Sequence, residues 1–457
     1  MKLDVNKTVD LFKRYDIRGT VPDELTRDFV YQVGRAFVAR FDLTNVVIGR
    51  DMRESGQALF EALAEGVTDQ GASATYIGMV STDALYFATG KFGYDGGVMI
   101  TASHNPANYN GLKFCLKDAV AVSLETGLGD MRDQIIAGTI PSSAKRGSSS
   151  ERNILEDFAQ HCLSMVDQHT IKPFKIAVDA GNGMGGLTTP IVFKHLPCEI
   201  VPLFFELDGS FPNHPANPMD PANKVQLQDA VRKHGCDLGA TFDGDADRMF
   251  IVDEKAGLVD GGIMTALIGL NTLNRFPGSK ILYNLICSRS VPEVIARAGG
   301  IPVRSPVGHS IIKPIMREQN IPFGGEHSGH YYFRENWFAD SGMIALLHCL
   351  ELLSRSSKTI SELIAPIDTR FRSGEINSKV ADVQKALDAV ESFYAKQGAQ
   401  IDHLDGVTVD MKDWWLNVRP SNTEPLLRLN VEGDTKSLME QHRDEALSLI
   451  ASTVGKT

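Results

Sequence analysis

The chain has 457 residues, 43% hydrophobic and 23% charged, with 46 Lys+Arg against 57 Asp+Glu and a formal net charge of −11. At roughly 150 residues per domain this length gives about three domains with room for a small fourth, and the ordinary apolar and charged fractions exclude a disordered or collagen-like chain. The acidic balance argues against nucleic acid and membrane as partners, since both need a basic excess, but it leaves an anionic small substrate open because a local field steers a ligand.

The N-terminus, Met1-Lys2-Leu3-Asp4-Val5-Asn6, has no apolar signal-like stretch. No run approaches the ~18 apolar residues of a membrane span, so the expected location is the cytoplasm. Asn45–Gly49 and Gly97–Thr101 read as buried strands, with a helical segment over Glu54–Gln70. Pro141 to Ser150 is polar and Ser-rich, the composition of a linker. The alternation resumes with a strand at Lys175–Asp179, a helix at Val225–His234 and a strand at Lys280–Tyr283. Further boundaries are expected near Glu254-Lys255-Ala256-Gly257 and over Asp368–Ser373. The resulting pieces are 1–143, 151–254, 255–368 and 370–457. Alternating strands and helices predict α/β layers. The first three pieces are similar in length and each restarts the alternation, which suggests a triplicated unit without a residue-level repeat. The six cysteines form no Cys-x-x-Cys pair and read as scattered reduced thiols.

Five segments carry candidate chemistry. In Thr101-Ala102-Ser103-His104-Asn105-Pro106 a strand runs into a polar loop, and Tyr109-Asn110-Gly111-Leu112-Lys113-Phe114 then turns and departs as a second strand. That return can bring Lys113 near Ser103 and places a serine beside His104 for nucleophilic or phosphoryl chemistry; an ordinary capped turn would use the same residue types. Asp179-Ala180-Gly181-Asn182-Gly183-Met184-Gly185-Gly186 fits a dinucleotide fingerprint, with Glu206 at about the right distance. The simpler reading is a Gly-rich turn starting a helix close against the sheet. Phe242-Asp243-Gly244-Asp245-Ala246-Asp247-Arg248 sets three carboxylates at alternate positions between two strands. Clustered anions need a cation, and oxygen-only ligands suit Mg²⁺ before Zn²⁺. An EF-hand would match the aspartates and Glu254, but it needs Gly where Arg248 stands and helices where strands are expected. Gly324-Gly325-Glu326-His327-Ser328-Gly329-His330 is a polar Gly-rich loop whose Glu326 can accept from two neighbouring hydroxyls. Finally, Arg419-Pro420-Ser421-Asn422-Thr423-Glu424-Pro425, followed by Arg428, has the donors of a phosphate cradle.

These motifs, in this order and together with Tyr15-Asp16-Ile17-Arg18-Gly19, resemble the α-D-phosphohexomutase superfamily, most closely its bacterial phosphomannomutase/phosphoglucomutase branch. The resemblance implies three related α/β domains with mixed sheets and a smaller α+β C-terminal domain around a central cleft. It implies reversible interconversion of hexose 6-phosphate and hexose 1-phosphate, on mannose or glucose, through a phosphoserine enzyme and a hexose 1,6-bisphosphate that turns over in the cleft and also serves as activator. Ser103 then carries the phosphoryl group, and Mg²⁺ sits on Asp243, Asp245, Asp247 and a phosphoryl oxygen of Ser103. Lys113 is the general acid/base candidate, near Arg18, with His104, Arg248, His309 and His330 as further catalytic candidates. Tyr15, Arg18, Glu326, Ser328 and His330 face the sugar, and Glu326 binds O3 and O4, which exchange when the hexose is turned end for end. Arg419, Ser421, Asn422, Thr423 and Arg428 grip the distal phosphate. Two departures stand out: His327 occupies a position often held by Met and is expected to tune sugar contacts, and Ile286 replaces a Lys, with Arg289 nearby to supply that charge. The expected partners are small phosphosugars, and the chain is a monomer or dimer. A phosphoglucosamine mutase and a metal-dependent sugar phosphatase remain as alternatives.

Overall fold

The computed structural model describes residues 5–421 and 426–453. Four sheets follow one another along the chain. The first three contain the same four-strand unit. A first strand (Asn45–Arg50, Lys175–Asp179 or Lys280–Asn284) pairs in parallel on one side with a second (Ser73–Met79, Glu199–Leu203 or Ile301–Ser305) and on the other with a third (Gly96–Ile100, Leu238–Phe242 or Phe323–Gly325). An antiparallel strand then returns beside the third: Tyr109–Leu116, Met249–Val252 or Tyr331–Phe333. Helices cross between the parallel strands in each case, Gly56–Asp69 and Thr82–Lys91 in the first unit, Gly185–Phe193 and Val225–His234 in the second, Ser290–Arg297 and His309–Glu318 in the third. Repetition therefore lives in topology. A buried parallel strand demands only an apolar run, which many unrelated sequences satisfy.

The turn from third strand to return strand carries residues 101–108, 243–248 and 326–330 in the three units. The serine loop, the carboxylate cluster and the Glu326 loop thus occupy one equivalent position three times. The strands flanking Asp243–Arg248 also dispose of the EF-hand reading, which requires helices there.

The predicted linker is only partly one. Ser149–Glu151 pairs in parallel with Ser73–Met79 as the exposed edge of the first sheet. Short serines give that segment a free backbone, and Ser148 O accepts from Ala74 N at 2.8 Å. The fingerprint-like glycines serve packing. Gly183 lies against the Gly244 carbonyl, with 2.6 Å to any added Cβ, and Gly186 likewise against Phe205, as the helix Gly185–Phe193 begins. One apolar core runs without interruption from Val47, Leu85 and Met99 through Val178, Phe242 and Ile251 to Phe323, Tyr331 and Leu346. The fourth sheet is antiparallel, ordered Phe371–Arg372, Leu426–Gly433, Trp414–Pro420, Val407–Asp410, Gln400–Asp402, and has its own core under Val383–Ala395 and Lys436–Ser452. Among the described residues no helix is long and apolar enough to cross a membrane. All six cysteines are free, five of them buried.

Candidate active site

Ser103 sits at φ +50°, a left-handed conformation that costs a non-glycine residue energy unless its surroundings enforce it. They do. Arg53, 1% exposed, is paired with the fully buried Asp51 and donates from Nη1 to the carbonyls of Pro106 (2.7 Å) and Tyr109 (2.9 Å). From Nη2 it donates to the carbonyls of Ser103 (3.0 Å) and Asn105 (2.7 Å). Ser103 Oγ donates to Asp243 Oδ2 at 2.8 Å and receives Arg248 Nη2 at 3.2 Å. Arg248 also donates from Nε to Asp243 Oδ2 at 2.8 Å and from Nη2 to His104 Nδ1. An imidazole accepting at Nδ1 is the neutral Nε2–H tautomer, and burial, Arg248 and Arg18 together hold His104 well below its usual pKa. Arg18 reaches the same loop through Asn105 Oδ1 at 2.6 Å and pairs with Asp16.

The antiparallel return strand pairs Lys113 with Met99 and delivers its ammonium to the carboxylate cluster, 2.7 Å from both Asp245 Oδ2 and Asp247 Oδ2. Burial opposes that charge, but the two carboxylates outweigh it and hold Lys113 well above its ordinary pKa. Thr82, the first residue of the helix Thr82–Lys91, donates from Oγ1 to Asp245 Oδ2 at 2.6 Å and from its backbone N to Asp245 O at 2.9 Å. Oxygens of Asp243, Asp245 and Asp247 lie within 4.8 Å of one another, all buried. Asp245 Oδ1 and Asp247 Oδ1 have no hydrogen-bond partner among the described residues. Two orphaned buried carboxylate oxygens beside a third carboxylate fit a hard divalent cation.

The three equivalent loops touch through backbone. An added Cβ at Gly244 would lie 2.4 Å from Ser103 O, so only glycine lets the second loop reach the first. Met249 N donates to Gly329 O at 3.1 Å, and Arg248 bridges His330 across the second and third loops. Glu326, 2% exposed, accepts from Tyr332 Oη (2.5 Å), Asn284 Nδ2 (3.0 Å) and Gly308 N (3.2 Å), so its carboxylate is fixed by three donors. His330 Nδ1 is 3.1 Å from Ser328 Oγ, while its Nε2 faces Asp247 Oδ1 at 3.7 Å and Asp340 Oδ2 at 3.8 Å. Asp340 is already paired with buried Lys313 at 2.6 Å. Tyr15 packs edge-on against His309, with ring centres 4.9 Å apart, and burial and the nearby Lys313 cation pull His309 down to about 3.

The fourth sheet presents Arg419, 1% exposed, directly opposite Arg428 on the neighbouring strand. Ser421 N donates to Leu426 O at 2.8 Å, whereas Asn422 and Thr423 lie outside the described residues. One expectation is corrected here. Arg289 does not replace the missing Lys charge at Ile286: its guanidinium is committed to Asp410 and to the carbonyls of Met411, Lys412 and Trp414. Ile286 itself packs with Leu285 and Trp415. His327 shares the Asn284 amide with Glu326. It accepts from Asn284 Nδ2 at Nδ1 (3.1 Å), and its Nε2 points toward the Arg419 side, 3.8 Å from Glu375 Oε2. Sequence reasoning missed Arg53, Thr82, Asn284 and Glu375. For Arg53 a signal existed, because Asp51 and Arg53 directly follow the buried strand Asn45–Arg50, where charges require partners.

Four family models match in order: phosphoglucomutase/phosphomannomutase alpha/beta/alpha domain I at residues 9–129, domain II at 155–257, domain III at 260–370 and the C-terminal domain at 375–449. The chain is 41% identical over 446 residues to a protein of Xanthomonas campestris pv. campestris named "Phosphohexose mutases", covering 97% of this chain and 99% of the relative. It is 38% identical over 454 residues to a phosphomannomutase of Escherichia coli K12, with 97% and 99% covered. A crystal structure of a phosphoglucomutase/phosphomannomutase family protein from Burkholderia thailandensis superposes with a TM-score of 0.90 at 30% identity, covering 98% of each chain. Matched throughout in sequence, domain order and backbone, the chain belongs to the phosphoglucomutase/phosphomannomutase family.

Proposed function

We propose that this protein is a phosphohexomutase that interconverts hexose 6-phosphate and hexose 1-phosphate, with mannose and glucose phosphates as substrates, by way of a phosphorylated Ser103 and a 1,6-bisphosphate that reorients in the cleft. The observation that carries this reading is the meeting of the first two equivalent loops at Ser103 Oγ, which lies 2.8 Å from Asp243 and 3.2 Å from Arg248, with the third loop joined to them through the Arg248–His330 bridge. The full-length relatives named for phosphomannomutase support the same reading.

In the forward half-reaction a hydroxyl oxygen of the bound hexose phosphate attacks phosphorus, the P–Oγ bond to Ser103 breaks, and the hydroxyl proton passes to a basic group. The return half-reaction sends the other phosphoryl group back to Ser103. Phosphoryl transfer leaves the protein mainly positioning and charge compensation. Arg53 fixes the serine loop, Arg248 spans Asp243 and Ser103 Oγ, Lys113 sits on the carboxylate cluster as an ammonium that can give a proton, and His330, facing the same cluster, is the candidate to take one. Asp243, Asp245 and Asp247 would hold Mg²⁺, which when bound neutralises charge on the phosphoryl oxygens. Glu326, oriented by Tyr332 and Asn284, serves O3 and O4 in either pose of the sugar. Arg419 and Arg428 supply the cationic end for the non-reacting phosphate. The domain division at 1–143, 151–254, 255–368 and 370–457, with Ser149–Glu151 returned to the first sheet, assigns one loop to each domain.

The test is Ser103→Ala. Isomerisation of mannose 1-phosphate and glucose 1-phosphate, primed with bisphosphate, should vanish while both still bind, and the wild-type chain should gain one phosphoryl mass that the variant lacks. Full activity in the variant, or release of free phosphate faster than isomerisation, would reject the reading.

A further inference from the structure

Arg419 and Arg428 face each other across adjacent antiparallel strands, an arrangement in which like charges repel. Glu375, just before the strand Ile376–Lys379, sits between them. Its Oε2 is 2.7 Å from Arg419 Nη2, and its Oε1 is 3.2 Å from Arg428 Nη1. One carboxylate therefore stands where the two cations converge. The pairing is incomplete. Arg419 Nε, Arg428 Nε and His327 Nε2 are buried and have no hydrogen-bond partner among the described residues. His327 accepts at Nδ1 from Asn284, so its neutral ring carries the proton on Nε2 and adds a third donor. A carboxylate offers two oxygens in a plane. Three leftover donors around it match an anion with more oxygens, such as a phosphate monoester.

We propose that Glu375 is a built-in placeholder for the distal phosphate, occupying the Arg419/Arg428 cradle between binding events and competing with the phosphate for it. This rests on the mutase reading, in which the distal phosphate must leave the cradle once per cycle so that the bisphosphate can turn. A cradle of two bare arginines would hold a dianion too long. With Glu375 able to return, the net charge seen by the phosphate drops by one unit, and release is matched by an ion pair re-forming inside the protein. His327, which the sequence alone placed with the sugar contacts, then belongs to the phosphate end and links it to the Glu326 loop.

The experiment compares the full chain with Glu375→Gln, which keeps shape and removes charge, using calorimetric titration with inorganic phosphate and with glucose 1-phosphate. Removing one opposing charge a few ångströms from the anion should tighten binding of both roughly tenfold. KM should fall, and kcat should fall with it because release becomes slow. In Glu375→Gln/Arg419→Met the gain should disappear. Glu375→Ala provides a second uncharged side chain, expected to tighten binding in the same direction if the amide variant folds poorly. Unchanged or weaker phosphate binding in the neutral variants, or tightening that survives Arg419→Met, would overturn the proposal. A wild-type chain that isomerises no hexose phosphate would instead overturn the mutase reading, and the phosphate titrations would still decide the role of Glu375.

Discussion

Thr82→Val isolates one hydrogen bond between the first and second domains. Valine keeps the β-branched shape of this fully buried residue and the backbone bond to Asp245 O, and deletes only the hydroxyl that donates to Asp245 Oδ2 at 2.6 Å. A hydrogen bond to a buried carboxylate contributes about 1.5–3 kcal/mol. Lys113 Nζ remains 2.7 Å from the same oxygen, so the lower end applies, about 1.5 kcal/mol. Thermal unfolding without divalent metal should move down by roughly 2 °C. The larger consequence concerns the cation. Thr82 holds Asp245 with Oδ1 turned free, and without it Lys113 alone sets that carboxylate, so Mg²⁺ or Mn²⁺ should bind roughly five- to tenfold more weakly, equivalent to about 1–1.4 kcal/mol. Thr82→Ser should restore it. Calorimetry with Mg²⁺ and electron paramagnetic resonance with Mn²⁺ read the affinity directly. A Thr82→Val variant that binds both ions as the wild type does, whatever its melting point, would refute the reasoning.

Two further outcomes are expected. Glu326→Ala should weaken mannose 1-phosphate and glucose 1-phosphate to a similar extent, tenfold or more in kcat/KM, because the two sugars share configuration at O3 and O4; loss confined to one sugar would contradict that placement. Asp83 is 1% exposed and accepts from Ser81 and, at 2.5 Å, from Ser341, the N-cap of the helix Gly342–Arg355 in the third domain. Burial nevertheless raises its carboxyl from 3.8 to about 7. A carboxyl that holds its proton more tightly when folded costs stability as pH rises through the window from about 4 to 7, by at most about 4 kcal/mol at 1.36 kcal/mol per unit. Denaturant unfolding of Asp83→Asn should therefore show a flatter pH profile across that window and greater stability at pH 8, and an Asn variant less stable at pH 8 would contradict the sign.

Local chemistry announced itself in the sequence wherever a loop had to break a strand. Asp243, Asp245 and Asp247 alternate within five residues, and Ser103 ends a buried run, so both were readable without coordinates. The strand Lys175–Asp179 and the helix Val225–His234 also emerge with the expected bounds, because apolar runs and helical periods are local properties. What escaped were the supporting contacts made across the chain by residues outside the motifs. Thr82 reaches a carboxylate 163 positions away, and Glu375 meets arginines on two other strands. Neither has a local pattern. Arg289 misled for the same reason: a charge close in sequence to Ile286 was spent on a turn 121 residues on. The triplication hinted at by segment lengths became visible only in strand pairing, since pairing order leaves no trace in composition.

The division of cores bears on how the molecule responds to salt. The first three sheets share one apolar interior, which simple electrolytes leave intact or strengthen. The fourth is fastened to the third in part by charges at the rim, Arg304 to Asp402, Arg289 to Asp410, and Arg370 to both Glu293 (2.8 Å) and Asp434 (3.1 Å), beside a small greasy contact of Leu285, Ile286 and Trp415 and the part-buried bond from Arg289 N to Glu432 (3.0 Å). Partly exposed pairs of this kind weaken as ionic strength rises and the Debye length shrinks. Ionic strength is thus a dial for one joint of the molecule: raising it should loosen the seat of the Arg419 cradle long before it disturbs the serine and carboxylate loops.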